Sequence, residues 1–430
     1  MNIIYVHSHD TGRYLSVYDP RIKTPAFDAF ASMALTFRQC YCNGPTCSPS
    51  RAALLTGVYP HMCGMLGLAH LGFSVDPEKH VANVLKGYGY STVLCGVQHE
   101  IDGARVAELG YEQVYCSQSS DYVERDKETT SQAVKFLEER DTNKPFFLSV
   151  GYFSTHRPFP EREEIADFVP DVLQDSEATR RDFGGYLKSV QNLDRNFEKL
   201  LEAIRSSDDL LKSTMILYTT DHGIAFPEMK CHLTGHGTGV SLMIALPDGR
   251  RRGEKTDRLV SHVDVFPTLL KLLGEKTPPW MVGKPFDSVF DGDDRGDGAV
   301  FSEINYHVSY QPQRSIRTSE YNYICDFGQY KKLPPSNTDD GISKEVYRKS
   351  GYFDLPCERE YLYDLTRDPL EQNNLVKDCA YADVLREMRE RLRKMMIATG
   401  DPLTKEEVIA APEGAKYLGS NAYSAAELKS

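Results

Sequence analysis

The 430-residue sequence contains no apolar run approaching ~20 residues, the length that a membrane-spanning helix requires. It also shows no signal peptide, because Met1 is followed at once by the apolar stretch 2–6, without a charged segment or a small-residue cleavage site. We therefore expect no membrane segment, and the cytoplasm is the expected location.

Paired cysteines and an excess of positive charge are also missing. None of the ten cysteines forms a Cys-x-x-Cys pair, and their scattered positions favour neither a zinc ribbon nor a dense disulfide framework. Lys and Arg number 50 against 62 for Asp and Glu, which gives a formal net charge of −12. This balance argues against nucleic acid or an anionic membrane as the main partner. A small anionic substrate remains compatible with it, since a local cluster of cations can override the global field.

Strands alternate with helices through the first part of the chain. Apolar stretches predict strands at 3–6, 91–96, 146–152, 214–219 and 240–246. Helical patterns lie between or after them, at 80–86, 131–139, 186–204 and 265–273. This alternation predicts an α/β fold with a mostly parallel sheet that is sandwiched by helices.

The pattern changes near residue 310. Strand-like pieces at 321–325 and 361–364 precede a helix that carries Leu385, Met388, Leu392 and Met395. We therefore expect a catalytic domain over residues 1–310 and a smaller C-terminal α+β subdomain, with a small antiparallel sheet and a helix, over 311–430.

Polar residues follow several of the predicted strands directly. They are Asp10, His99, His156 and the pair Asp221 and His222. The carboxyl ends of strands in open α/β sheets are where ligand chemistry is found, so these residues are candidates for one shared site.

Residues 47–57 read Cys-Ser-Pro-Ser-Arg-Ala-Ala-Leu-Leu-Thr-Gly. Pro49 suits the first turn of a helix and Gly57 suits its end. The free amides of the helix start and the guanidinium of Arg51 would both face an anion held near Cys47.

This stretch resembles the type I sulfatase signature Cys-x-Pro-Ser-Arg-x-x-x-Leu-Thr-Gly at every fixed position. Residues 24–30, 260–270 and 362–375 resemble three further segments of that family, so the resemblance covers nearly the whole chain. It implies the alkaline phosphatase-like fold. Within the family, 221–227 and the Gly237-Thr238 spacing look most similar to the N-sulfoglucosamine sulfohydrolase (sulfamidase) branch.

The resemblance implies a sulfohydrolase that cleaves sulfate esters or sulfamates of carbohydrates, with glycosaminoglycan-derived, heparan-type N-sulfoglucosamine as one substrate. In that family a formylglycine-generating enzyme oxidises the cysteine matched by Cys47, and the hydrated aldehyde is the nucleophile. Arg51 matches the arginine that supports it. His156 matches the histidine that contacts sulfate and protonates the leaving group, His99 matches another active-site histidine, and Lys230 matches a sulfate-binding cation.

One divalent metal is also implied, held by Asp10, Asp221, His222 and the residue formed from Cys47. It is Ca²⁺ in the family, but imidazole ligands shift the balance toward Mn²⁺ or Zn²⁺. His9 stands where the family usually has an aspartate, and is either a ligand or a neighbour of the metal. Val97 stands where the family often has a lysine. His232 and His236 are candidate replacements for that cation, but each also reads as an ordinary polar residue of a loop.

Two other functions fit the same residues. Phosphodiesterases and phosphonate monoester hydrolases of the same superfamily share the metal–nucleophile layout and the Asp-His pair. A catalytically degenerate, anion-binding homologue is the third reading, because His9 and Val97 depart from the family pattern. The sequence leaves the choice between N- and O-sulfate, the sugar and the oligomeric state open.

Overall fold

The computed structural model describes residues 1–161, 164–296, 298–406 and 408–429. In these ranges the strands are β1 (Asn2–Ser8), β2 (Leu35–Tyr41), β3 (Ser91–Gly96), β4 (Gln113–Tyr115), β5 (Phe146–Gly151), β6 (Thr214–Thr220), β7 (Gly239–Ala245), β8 (Lys255–Ser261), β9 (Val300–Tyr306), β10 (Tyr310–Arg317), β11 (Tyr321–Asp326) and β12 (Glu360–Asp364). The α-helices are α1 (Pro25–Ala31), α2 (Cys47–Thr56), α3 (Pro60–Cys63), α4 (Val81–Gly87), α5 (Tyr122–Glu139), α6 (Glu177–Arg205), α7 (Asp208–Ser213), α8 (Gly235–Thr238), α9 (Val265–Leu273), α10 (Ile342–Lys349) and α11 (Ala382–Thr399). None of the described helices combines the length and the apolar character that crossing a bilayer demands.

The larger sheet has eight strands in the order β4-β3-β5-β1-β6-β7-β2-β8. β1 is central and runs parallel to both of its neighbours, β5 and β6. β7 is antiparallel to β6 and to β2, whereas β8 is parallel to β2 and β4 is parallel to β3. The expected α/β fold with a mostly parallel sheet is therefore confirmed.

Helices cover both faces of this sheet, and each face has its own apolar core. On one face, α6 presents Tyr186, Val190, Leu193 and Phe197, all fully buried, as its spacing of three and four predicts. Phe197 stacks on Phe27 of α1 with ring centroids 4.5 Å apart. Burial of each such side chain stabilises the fold by roughly 1.5–3 kcal/mol. On the other face lie α2 and α9, so the helix that begins at Cys47 is anchored directly on the sheet.

The smaller sheet is antiparallel, in the order β12-β11-β10-β9, and α11 packs on it through Leu385, Met388 and Leu392. Its first strand, β9, begins at Val300, before the expected domain boundary at 310. A buried ionic cluster joins the smaller sheet to α3. In this cluster Arg314 of β10 pairs with Asp401 at 2.5 Å, and Glu303 of β9 pairs with His61 of α3 at 2.6 Å.

Several elements differ from the sequence-based predictions. β2 and β8 carry polar residues and were not anticipated. α5 and α6 start earlier than their apolar patterns predict, because Asp121 and Ser176 cap them by accepting backbone N–H bonds. The predicted stop at Gly57 is found, with the left-handed φ of 69° that glycine adopts readily.

Candidate active site

The site is built where β1 and β6 end beside the start of α2. Asp10 follows β1 and is fully buried, with φ of 47°, a left-handed conformation that is uncommon for a residue other than glycine. Asp221 follows β6, is 3% exposed, and accepts the backbone N–H of Asp10 at 2.8 Å. Backbone strain of this kind concentrates at functional sites. The two carboxylates are thus fixed against each other by the ends of adjacent parallel strands.

Cys47 is the first residue of α2 and is 3% exposed. Its Sγ lies 3.3 Å from His222 Nε2 and 3.9 Å from Asp10 Oδ1. Burial raises the pKa of the Cys47 thiol well above its usual value, and the carboxylates of Asp10 and Asp221 raise it further against the opposing effect of Lys230 and Arg51. Position 47 is therefore poorly suited to act as a thiolate.

Arg51 lies one turn further along α2 and is 1% exposed. Its guanidinium donates to Asp221 Oδ2 at 3.0 Å and to the carbonyl of Ser8 at 3.1 Å, and it contacts His7 Nδ1 at 2.5 Å. Burial opposes ionisation of Asp221, but His222, Arg51 and His9 together hold the pKa of its carboxyl well below the usual value. Arg51 thus keeps the carboxylate charged and oriented.

Donor atoms suited to a metal ion gather at this point. Single atoms from His9, Asp10, Cys47 and Asp221 all lie within 4.8 Å of one another. Both ring nitrogens of His9 are buried without a hydrogen-bond partner, although Nδ1 is 3.1 Å from Asp221 Oδ2. A bound cation would satisfy such an orphaned imidazole. His9 therefore lies within the cluster and is not merely near it.

His222 completes this set. Its Nδ1 lies 2.8 Å from the carbonyl of Gly223 and donates to it, which leaves the lone pair on Nε2. Nε2 is 3.3 Å from Asp10 Oδ1. A metal-binding histidine is oriented in the same way, by a hydrogen bond from its other ring nitrogen. Carboxylate oxygens together with imidazole nitrogens are a donor set that fits one divalent cation.

Lys230 is the second buried cation at the site, at 3% exposure. Its Nζ lies 3.2 Å from Asp10 Oδ2 and 3.2 Å from Asp339 Oδ2. Burial works against the charge of Lys230, yet the two carboxylates raise the pKa of its ammonium group well above the usual value. Lys230 is therefore a charged group next to the cluster.

The two predicted histidines close the site on another side. The ring of His9 contacts the rings of His99 and His156, with centroids 4.7 and 5.4 Å away. Burial lowers the pKa of both His99 and His156, and neighbouring cations add to the effect. Nδ1 of His156 donates to the carbonyl of Arg157 at 2.6 Å, so Nε2 is the nitrogen that can exchange a proton.

The structure brings all of the predicted site residues together. The two candidate replacements for a lysine at position 97, His232 and His236, lie outside this group. His232 and His236 instead line a cavity of about 480 Å³ beside the smaller sheet. His236 Nε2 lies 3.2 Å from the carbonyl of Leu370. Among the described residues, Arg51 and Lys230 supply the buried positive charge of the cluster.

Sequence reasoning missed three residues here. His7 contacts Arg51, Asp339 pairs with Lys230, and burial next to Lys230 lowers the pKa of His307 to about 3. Asp339 lies in the loop region after β11 and His307 in the loop after β9, and no sequence motif marks either residue. His7 was visible, because it stands on β1 two residues before His9.

A cavity of about 990 Å³ adjoins the cluster. Arg157, which follows His156, and Asp339, which contacts Lys230, both line it. This volume is at the upper end of the range for sites that hold drug-sized ligands. Asp339 therefore links this cavity to the charged groups of the cluster.

Comparison with known proteins agrees with this geometry. The family model Sulfatase matches residues 1–275. Human N-sulphoglucosamine sulphohydrolase is 25% identical, over 96% of this chain and 92% of its own length. The fold is shared with a solved structure described as in complex with its substrate D-glucosamine-2-N,6-O-disulfate, at a TM-score of 0.73, 19% identity, and coverage of 94% of this chain and 99% of that one. The phosphonate monoester hydrolase of Agrobacterium radiobacter shares it too, at a TM-score of 0.72, 16% identity, and coverage of 93% and 96%.

The matched range contains the stretch that begins at Cys47, both carboxylates of the cluster and the cations beside them. The family model alone covers well over half of the chain, and the human relative extends the similarity through the C-terminal sheet. The chain therefore belongs to the sulfatase family and is an enzyme that hydrolyses sulfate esters.

Proposed function

We propose that this protein removes sulfate from a carbohydrate, as an O-sulfate ester or an N-sulfamate, with a formylglycine made from Cys47 as its nucleophile. The observation that carries the proposal is the position of Cys47 at the start of α2, with Sγ 3.3 Å from His222 and 3.9 Å from Asp10. The similarity to human N-sulphoglucosamine sulphohydrolase supports a saccharide of the glycosaminoglycan type as substrate.

Two groups that maturation would supply fit these residues. A divalent metal held by His9, Asp10, Asp221 and His222 would neutralise negative charge on the sulfuryl oxygens. Oxidation of Cys47 by a formylglycine-generating enzyme would provide a hydrated aldehyde, which would supply an oxygen nucleophile for the sulfur atom. The raised pKa of the Cys47 thiol agrees with a role as precursor, because a buried neutral thiol is a weak nucleophile.

The chain's own side chains would then act as follows. Arg51 holds Asp221 charged and in place, and Lys230 offers an ammonium group to the sulfuryl oxygens. Lys230, which carries a proton, or His156 would protonate the sugar oxygen or nitrogen when its bond to sulfur breaks. His99, whose ring packs on His9, would accept the proton that the nucleophile loses. The net reaction consumes one water and releases sulfate and the free alcohol or amine.

The test is a desulfation screen on defined glycosaminoglycan saccharides that carry one N- or O-sulfate. The oxidation state of residue 47 is read by mass spectrometry in the same preparation. We expect turnover in protein that carries formylglycine and none in Cys47→Ala. Cys379→Ala, at an exposed cysteine, is the control and should keep full activity. If Cys47→Ala turned over substrate at the wild-type rate, residue 47 would not be the nucleophile.

The Asp221–His222 pair motivates an aryl phosphodiester as a second substrate in the same screen. Faster hydrolysis of that substrate than of every sulfate and sulfamate would favour a phosphonate monoester hydrolase activity instead. An unmodified thiol from a host with the maturation enzyme, together with no hydrolysis, would favour a degenerate anion-binding protein. Metal content after dialysis against equal Ca²⁺, Mn²⁺ and Zn²⁺ tests the expected preference for the latter two.

A further inference from the structure

Asp339 lies outside every motif from which the site was predicted, yet it contacts Lys230. Its carboxylate oxygens lie 3.2 and 3.3 Å from Lys230 Nζ, and its side chain is 18% exposed. An ammonium group has three N–H donors, and Asp10 and Asp339 each take one. One donor of Lys230 is therefore left for a substrate, and Asp339 sits directly beside it.

The loop that carries Asp339 is held firmly from the smaller sheet. Asn337 accepts the backbone N–H groups of Val308 and Ser309 at 3.0 and 2.8 Å. On the other side of Asp339, Ser343 donates its backbone N–H to Asp182 at 3.1 Å. The carboxylate is thus a fixed part of the wall between the catalytic cluster and the cavity of about 990 Å³.

The wall of that cavity is more acidic than basic over its described residues. It is lined by two arginines, Arg157 and Arg181, and by four carboxylates, of Glu161, Asp182, Asp339 and Asp340. Each of the two arginines already pairs with a carboxylate. Arg157 makes a two-point pair with Asp182 at 2.9 and 2.7 Å, and Arg181 pairs with Glu177 at 3.1 Å.

We propose that Asp339 is a specificity-determining residue that restricts the substrate to a saccharide with a single sulfate. The inference rests on the proposed function. Asp339 accepts a hydrogen bond from a hydroxyl or N–H next to the scissile group. Its negative charge also repels a second sulfate on the same sugar. The two arginines of the described wall already pair with carboxylates, so neither is an unpaired cation that could bind this second sulfate.

The size of this selection follows from electrostatics. Two unit charges about 7 Å apart at an effective dielectric constant of about 20 change a rate or an affinity about fiftyfold, and Lys230 offsets part of the charge of Asp339, so we expect an effect of about tenfold. A mostly buried carboxylate is poorly screened by salt, so the effect should persist at physiological ionic strength.

The test compares kcat/KM on glucosamine 6-O-sulfate, glucosamine N-sulfate and glucosamine 2-N,6-O-disulfate. In the wild type, we expect kcat/KM on the faster of the two monosulfates to be about tenfold higher than kcat/KM on the disulfate. Asp339→Asn keeps the shape and removes the charge, and should lower this ratio at least about fivefold. Asp383→Asn is the matched control, because Asp383 lies on α11 outside this cavity wall, is 88% exposed and already pairs with Arg386, and it should leave the ratio within about twofold.

The ratio separates selection from a structural role, because a displaced Lys230 would slow all three substrates together. An unchanged ratio in Asp339→Asn, or a wild type that prefers the disulfate, overturns the inference while the sulfatase assignment stands. Absence of turnover on all three by protein with formylglycine at 47, together with no binding of them by Cys47→Ala in calorimetry, overturns the proposed function and the inference with it.

Discussion

Replacement of Arg51 by methionine tests how the buried charges of the active site are held. Met fills a similar length of the 1% exposed site but removes the guanidinium that donates to Asp221 and to the carbonyl of Ser8. Removing one partner of a buried ion pair costs about 3–5 kcal/mol, because the other charge is left uncompensated. The entropy of unfolding is about 0.9 kcal/mol/K for a chain of 430 residues, so the expected fall in Tm is about 3–6 °C.

A metal ion changes this expectation in a defined way. Bound beside Asp221, it supplies a second positive partner for the carboxylate, so the loss of Arg51 should cost less when metal is present. We expect Arg51→Met to lower Tm by about 3–6 °C in EDTA and by less than about half of that in saturating divalent metal. Scanning calorimetry of the same preparation in both buffers measures the difference.

Arg317 provides the matched control. It is buried like Arg51, but pairs with Glu371 at 2.8 Å, outside the catalytic cluster. Arg317→Met should therefore lower Tm by a similar amount with and without metal. If Arg51→Met shifts Tm equally in both buffers, Asp221 does not share its charge with a bound metal. If it shifts Tm in neither, the buried pair contributes nothing and the electrostatic reasoning is refuted.

Two further predictions concern stability outside the site. Although burial disfavours its charge, the Glu303 carboxylate raises the pKa of His61, so the folded state binds this proton more tightly than the unfolded state. The stabilisation is full below the unfolded pKa of about 6.5 and is lost as pH rises through the folded pKa, so His61→Gln should lower Tm more at pH 6 than at pH 9, and equal losses would contradict it. Gly57→Ala forces a side chain onto a φ of 69° and places Cβ 2.8 Å from Met281 Cγ, so thermal melts should show Tm about 1–2 °C lower, whereas an unchanged Tm would show that the helix end adapts.

Local signals were enough to find one side of the site. Cys47 and Arg51 belong to a contiguous stretch, and Asp10 and Asp221 follow apolar strands that run parallel in the sheet. Because the carboxyl ends of parallel strands meet at one edge, their proximity follows from the strand pattern alone. The strand pattern thus predicts the two carboxylates together, and the contiguous stretch that begins at Cys47, with the family it resembles, predicts the nucleophile.

The opposite side of the site could not be predicted in that way. Asp339 reaches Lys230 only because the smaller sheet packs against the first part of the chain and Asn337 anchors the loop. Loop conformation of this kind depends on tertiary packing and leaves no periodic pattern. β2 and β8 were missed for a related reason, since residues such as Arg38 and Asp257 interrupt their apolar character near the edge of the sheet.

The central position of β1 has a consequence for biosynthesis. β1 leaves the ribosome well before its two partners, β5 and β6, which begin only at Phe146 and Thr214. At roughly 5–20 residues per second, an apolar strand with two unpaired edges waits on the order of ten seconds or more for its neighbours. Such an edge can pair with other chains, so we expect the nascent protein to depend on chaperone shielding until β6 has emerged. Asp221, the carboxylate that follows β6, therefore emerges together with the strand that covers the last open edge of β1.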